Sequence, residues 1–225
     1  MNPALRLMAA RTAASGKTLA FLQFAEDTSD LTTYTLASQN LGTAAGDRHI
    51  IASVFLRATS NTALTFSSVT IGGVAATIVA QVHATTAGNS TSTAIVVAEV
   101  PTGTTGDVVI VASRACIRAA VGLYRATGIT TTAYDSATDA VSTYTTTAVG
   151  VPDGGFVIIA ANTAATGSTW TWVGADEDFD AASGETAFMR YGGASRAYPS
   201  GDAGPTLTAT PSVAPTDACA AFASW

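Results

Sequence analysis

The residues whose spacing could support chemistry lie in the last quarter of the chain. Four acidic residues fall within the five positions Asp176–Asp180. Closely spaced carboxylates supply the hard oxygen ligands that Ca²⁺ prefers, so Asp176, Asp178 and Asp180 are candidate calcium ligands, although their spacing does not match an EF-hand loop. The alternative is a solvated acidic loop whose charge contributes to solubility.

Aromatic residues form the second candidate site. Trp170 and Trp172 are two positions apart on a predicted strand and therefore point to the same face. With Tyr191 they could form a row of exposed rings of the kind on which carbohydrate-binding β-sandwich modules stack sugars. The alternative is that both tryptophans are core residues beneath the acidic loop, because tryptophan usually buries most of its large surface.

Groups suited to catalysis are few. The only histidines, His49 and His83, each fall at the end of a predicted strand, where a solvated surface role is usual. The sequence contains neither a G-x-S-x-G nucleophile elbow nor a P-loop. We therefore expect no enzymatic activity. A glycan-degrading enzyme that uses a pair such as Asp176 and Asp178 is the remote alternative.

The two cysteines, Cys116 and Cys219, lie in apolar segments without C-x-x-C spacing, which is unlike a zinc site. Synthesis in the cytoplasm favours two buried free thiols. A disulfide between two packed strands is left open, since it would require Cα atoms within about 7 Å.

The sequence contains neither a signal peptide pattern nor a run suited to a membrane helix. Arg6 and Arg11 break the N-terminus, so it does not read as a signal peptide. No apolar run approaches the roughly 18 residues of a membrane helix. We expect synthesis in the cytoplasm and no membrane partner.

Charge is scarce in this chain of 225 residues. Charged residues make up 12%, about half the usual fraction, and the net charge is −6. Lys17 is the only lysine and the arginines are scattered, which argues against nucleic-acid binding. So few charges favour a surface that is partly covered in an assembly, including a homo-oligomer. A surface rich in hydroxyl and amide side chains is the alternative.

The elements that would position these residues are strands. From Lys17 onward about a dozen short β-rich runs alternate with turn signals, and the clearest is the hairpin Ser68–Val79 around Gly72-Gly73. The polar stretch 127–147 and the acidic run read as loops. This pattern predicts an all-β fold, an antiparallel β-sandwich of jelly-roll type, as a single domain over residues 17–225.

An N-terminal arm over residues 1–16 precedes that domain. Asn2–Arg11 reads as a short helix, because Asn2 suits an N-cap and Pro3 suits the first helical position. A helix this short needs something to pack on, so the arm is either helical or extended. Its apolar residues Leu5, Leu7 and Met8 are the candidate residues for docking onto a partner.

Four strand-and-turn motifs carry a resemblance. They are Leu41–Arg48, Val69–Thr77, Val100–Val108 and Val121–Ala126. Together the motifs resemble a family of poorly characterised structural proteins of tailed phages and prophages, common in alphaproteobacterial hosts, over roughly residues 17–225.

The resemblance implies a particle component and carries no catalytic residues. We expect a non-enzymatic virion protein that is exposed on the particle, such as a capsid decoration protein, a head fibre or a tail accessory protein, with other virion proteins as partners. The alternative is a carbohydrate-binding module for host glycans, with or without Ca²⁺. We expect no other cofactor.

Overall fold

The computed structural model describes residues 11–12, 16–86, 88–140, 147–184, 189–214 and 217–225. Its regular structure is β-strand: β1 (Arg11–Thr12), β2 (Thr18–Asp27), β3 (Leu31–Asn40), β4 (His49–Ala58), β5 (Phe66–Ile71), β6 (Val74–Ala75), β7 (Thr77–Thr86), β8 (Asn89–Glu99), β9 (Thr105–Cys116), β10 (Arg118–Thr127), β11 (Asp135–Asp139), β12 (Thr147–Ala148), β13 (Gly155–Thr163), β14 (Trp170–Val173), β15 (Asp176–Ala182), β16 (Arg190–Tyr198), β17 (Thr206–Pro211) and β18 (Ala218–Ser224). In the part of the chain that is described, no helix is long and apolar enough to span a membrane.

These strands form four antiparallel sheets. The first outer sheet has the order β3-β9-β5-β6, and the first inner sheet has the order β1-β2-β10-β4-β8-β7. The second inner sheet is β11-β18-β13-β16-β15, and the second outer sheet is β12-β17-β14. The expected all-β sandwich is therefore confirmed.

Three apolar cores separate the sheets and stack them as four layers. Strand β4 shows why: all ten of its residues are buried, because alternate side chains enter different cores. Ile50 and Val54 face the first outer sheet, whereas Ile51 and Phe55 face the second inner sheet. The core of the second sandwich lies between the second inner and second outer sheets. A strand covered on both faces reads as a continuous apolar run in the sequence, as β4 does.

Two regions predicted as loops contain strands. The acidic run belongs to β15, which pairs with β16, and its Phe179 is buried in the core between the inner sheets. The polar stretch 127–147 contains β11 and begins β12. Strands β15 and β11 form at the two edges of their sheet, because β16 and β18 each offer a free backbone edge there.

The predicted arm lies largely outside the described residues, as do Leu5, Leu7 and Met8. Arg11, predicted as the last residue of a helix, is in β1 instead. Strand β1 pairs antiparallel with β2, with Arg11 opposite Leu19 and Thr12 opposite Thr18.

Candidate interaction site

A fully buried arginine lies at one end of the first sandwich, which the first outer and first inner sheets form. Arg48 comes just before β4, and its side chain is 0% exposed. Its Nε donates a hydrogen bond to the Val100 carbonyl at 2.6 Å, and its Nη2 donates to the Thr102 carbonyl at 2.7 Å. Its Nη1 donates to the carbonyls of Leu41 and Gly42 at 3.2 and 2.8 Å.

This arginine is paired with carbonyl oxygens, so its charge serves no exposed chemistry. Burial lowers the pKa of Arg48, and the nearby charge of Arg125 adds to that effect. The four hydrogen bonds compensate for the lost hydration and fix two loops, before β4 and after β8, in one arrangement. Arg48 is therefore a positioning residue for those loops.

Beside the loops lies an open groove of about 550 Å³. Leu41, Gly72, Gly73, Val100, Thr102 and Asp107 are among the residues that line it. Its wall is backbone, threonine hydroxyl and small apolar side chains. Asp107 is the one charged lining residue, and its Oδ1 accepts a hydrogen bond from the Ser38 amide at 2.8 Å.

Glycine is required where the two walls of the groove meet. Gly72 has a φ of 58°, in the left-handed region, and its amide donates to the Asp107 carbonyl at 2.8 Å. A Cβ at Gly106 would lie 2.8 Å from the Gly72 Cα. The β5–β6 turn and the start of β9 can approach this closely only because Gly106 lacks a side chain.

Three of the four motifs quoted for the resemblance meet at this groove. Leu41–Arg48, Val69–Thr77 and Val100–Val108 each contribute to its lining or, through Arg48, to the support of its walls. The fourth motif, Val121–Ala126, supports it from outside, because Arg125 Nε donates to the Thr43 carbonyl at 2.9 Å.

The predicted aromatic row does not form. Trp170 and Trp172 do share a face and stack with ring centroids 5.7 Å apart. Trp170 is 5% exposed in the core of the second sandwich, whereas Tyr191 is 0% exposed in the core between the inner sheets. Trp172 alone is half-buried, and its Nε1 donates to Glu177 Oε2 at 3.3 Å. With Trp170 buried beside Trp172 and Tyr191 buried in a different core, the three rings do not form one exposed sugar-stacking surface.

The structure does not bring the three proposed calcium ligands together. On the neighbouring strand, Asp176 lies opposite Ser195 and Asp180 lies opposite Gly192. Because Ser195 and Gly192 are three residues apart, Asp176 and Asp180 point to opposite faces of the sheet. Asp180 is paired with Arg190 and accepts the Trp170 amide at 3.2 Å. Across the described ranges no group of three metal-ligating side chains converges. The calcium hypothesis therefore has no geometric support.

The thiols are buried and unpaired with each other, as predicted. Cys116 and Cys219 are both free. Burial raises the pKa of Cys116 to about 12 and that of Cys219 to about 11. Because the thiolate is the nucleophilic form, burial disfavours reaction of either thiol at neutral pH.

Sequence analysis missed a polar cluster at the margin between the inner sheets. Glu26 on β2 accepts hydrogen bonds from the Ser183 hydroxyl at 2.6 Å, the Tyr191 hydroxyl at 2.8 Å and the Gly184 amide at 2.8 Å. Arg118 Nη1 donates to Ser183 Oγ at 2.5 Å. Its members are far apart in sequence and share no motif, so no local signal could have grouped them.

Comparisons of the chain with protein-family models, with curated proteins and with solved structures find no match.

Proposed function

We propose that this chain is a non-enzymatic structural protein of a tailed-phage or prophage particle, exposed on the head or tail. The observation that carries the proposal is the convergence of separate resemblance motifs on one groove. Leu41, Gly72 and Val100 come from three distant segments yet line the same surface. We assign that groove as the contact site for another virion protein.

The chemistry of the groove is that of a docking surface. A wall of backbone groups, threonine hydroxyls and valines offers hydrogen bonds and apolar contact with little net charge. Arg48 holds the wall rigid from behind, so a partner would meet a preformed surface and lose little free energy to loop ordering. The charged side chain in the lining, Asp107, already accepts a hydrogen bond from the Ser38 amide.

The N-terminal segment supplies a second proposed contact. Leu5, Leu7 and Met8 would anchor the protein to a neighbouring subunit or to another copy of itself. Deletion of residues 1–16 should leave a folded protein, by circular dichroism, that no longer joins the particle. Normal incorporation of the truncated chain would exclude the anchor role.

Quantitative mass spectrometry of purified particles, scaled to the major capsid protein, tests the proposal. Hundreds of copies per particle would mean head decoration. Between about three and a dozen copies would mean a vertex, fibre or tail-tip position, in keeping with the symmetry of closed assemblies. Absence of the protein from particles would defeat the proposal.

A glycan-binding role is the weaker candidate. It now depends on Trp172, the one half-buried ring of the three predicted. A tryptophan fluorescence titration of the protein and of Trp172→Ala with host surface polysaccharide, with and without Ca²⁺, tests it. A saturable response that Trp172→Ala abolishes would support glycan binding, and no response would argue against it.

A further inference from the structure

We infer that the chain is a fused duplicate of one jelly-roll unit, and that the interface between the inner sheets is a surface built for a second copy of that unit. The first copy comprises residues 18–127 and the second comprises residues 135–225. This inference is independent of the role in a particle.

Strand order is the first observation. If β6 and β7 are counted as one strand, each copy has eight strands. The inner sheets β2-β10-β4-β8-β7 and β11-β18-β13-β16-β15 then both have the order 1-8-3-6-5. The outer sheets contain β3-β9-β5 and β12-β17-β14, which both have the order 2-7-4, and the first outer sheet continues with β6, the first part of its strand 5. Agreement across all eight strands of a crossed-over topology is what duplication produces.

The turn that opens the third strand of each copy is the second observation. In the first copy the Arg48 amide donates to the Ala45 carbonyl at 3.0 Å. In the second copy the Gly155 amide donates to the Pro152 carbonyl at 2.8 Å. Both donors stand at the entry to the central inner strand, three residues after their acceptor.

A backbone hydrogen bond between two loops also occurs in both copies. The Leu41 amide donates to the Thr104 carbonyl at 2.8 Å in the first copy. The Val151 amide donates to the Asp202 carbonyl at 2.7 Å in the second copy. Each bond joins the loop before the third strand to the loop between the sixth and seventh strands.

The loop after the sixth strand retains a sequence trace of duplication. Val100–Gly103 reads Val-Pro-Thr-Gly, and Tyr198–Gly201 reads Tyr-Pro-Ser-Gly. The final glycine has a φ of 75° in the first copy and 64° in the second. Because a left-handed φ favours glycine, the same turn geometry has kept the same residue at both places.

The interface between the copies centres on one phenylalanine. Phe179 of the second copy stacks on Phe21 of the first, with ring centroids 5.4 Å apart, and meets Phe55 edge-on at 6.2 Å. A Cβ at Gly122 would lie 2.3 Å from its ring, and a Cβ at Gly193 would lie 2.1 Å from it. The two inner sheets can therefore accept this ring only where both carry glycine.

Polar groups close the margin of the interface. Glu26 of the first copy accepts three hydrogen bonds from the second copy. Asn162 Nδ2 of the second copy donates to the Ser92 carbonyl of the first at 3.0 Å. An aromatic centre within a hydrogen-bonded margin is the composition of a specific protein–protein interface.

Cleavage of the segment that joins the copies tests the inference. A site-specific protease sequence inserted between Thr131 and Thr132 of the full chain would release two fragments after folding. We expect the cleaved fragments to stay together as a 1:1 complex at micromolar concentration in size-exclusion chromatography, with unchanged near-ultraviolet circular dichroism. Separation of the fragments, folded or not, would overturn the inference.

Two matched variants of the same cleavable chain separate the interface from general packing. Phe179→Ala removes the ring between the copies, whereas Leu207→Ala removes a buried side chain from within the second copy. We expect Phe179→Ala to raise the dissociation constant of the fragments at least about a hundredfold more than Leu207→Ala. An equal effect of the two variants on association would contradict an interface centred on Phe179.

Discussion

The two jelly-roll copies share one strand order but differ at the end where their turns meet. In the first copy that end is an open groove beside Val100. In the second copy the corresponding residue is Tyr198, whose hydroxyl donates to the Gly174 carbonyl, in the turn after β14, at 2.7 Å. Val100 has no side-chain group that could make the corresponding bond in the first copy. The two ends therefore differ in how their loops are held together.

The copies also differ in the length of their outer strands. Strand β9 of the first copy has 12 residues, whereas its counterpart β17 has 6. The second copy has the smaller outer sheet, with three strands, and supplies Phe179 at the centre of the interface between the copies. We interpret the second copy mainly as a support that covers the inner face of the first.

The largest expected effect comes from removing the ring that joins the copies. Phe179→Ala leaves a cavity bordered by Gly122 and Gly193, neither of which has a side chain to fill it. We expect a loss of about 3–5 kcal/mol in the free energy of unfolding, measured by urea denaturation. A loss below about 1 kcal/mol would break the comparison, because it would mean that the copies do not depend on this contact.

A smaller loss is expected from the arginine behind the groove. Arg48→Met leaves buried carbonyls such as that of Val100 without a donor, and we expect a loss of about 2–3 kcal/mol. Hydrogen exchange should quicken at the amides of Leu41 and Val100. Arg125→Met is the control, because Arg125 is half-buried and makes one such bond, and it should cost less than about 1 kcal/mol. Equal losses would show that Arg48 has no special role.

The Tyr198 hydroxyl of the second copy should contribute less. Tyr198→Phe removes the bond to Gly174 and keeps the ring, so we expect a loss of about 1 kcal/mol in urea denaturation. Tyr198→Val should go further and open a groove like that of the first copy, visible in a crystal structure of the variant. The absence of such a groove in that variant would show that Tyr198 is not what distinguishes the two ends.

The smallest effect concerns a buried carboxyl near the interface. Burial raises the pKa of Asp217, and the charge of Arg57 offsets this only in part. Since the folded state binds the proton more tightly, the stability gained is present below the ordinary pKa and is lost as pH rises through the raised pKa. Asp217→Asn should therefore be slightly more stable than the parent at neutral pH. The difference in Tm should shrink as pH falls towards 3, and a difference independent of pH would contradict this assignment.

Much of the strand pattern could be predicted from the sequence, because apolar runs and glycine turns are local signals. Strand β15 was missed, since a run of acids resembles a loop, although Phe179 and Ala181 follow the period of a strand. Trp170 and Trp172 were correctly placed on one face, but local spacing does not reveal which core covers them.

Two larger features could not be predicted from the sequence because their signals are not local. A buried Arg48 is unusual for its residue type, and only the tertiary fold brings its four carbonyl partners together. The duplication left a short trace, the Pro-Thr-Gly and Pro-Ser-Gly turns, which becomes meaningful only once the strand orders are aligned.

Particle incorporation of two matched variants tests whether the groove is the contact site. Thr105→Arg places a charge on an exposed residue that lines the groove of the first copy, and Thr206→Arg does the same at the exposed start of β17 in the second copy. Quantitative mass spectrometry of purified particles should find Thr206→Arg at the level of the parent and Thr105→Arg reduced at least about tenfold. Equal incorporation of both variants, with both folded, would contradict the assignment of the groove as the contact site.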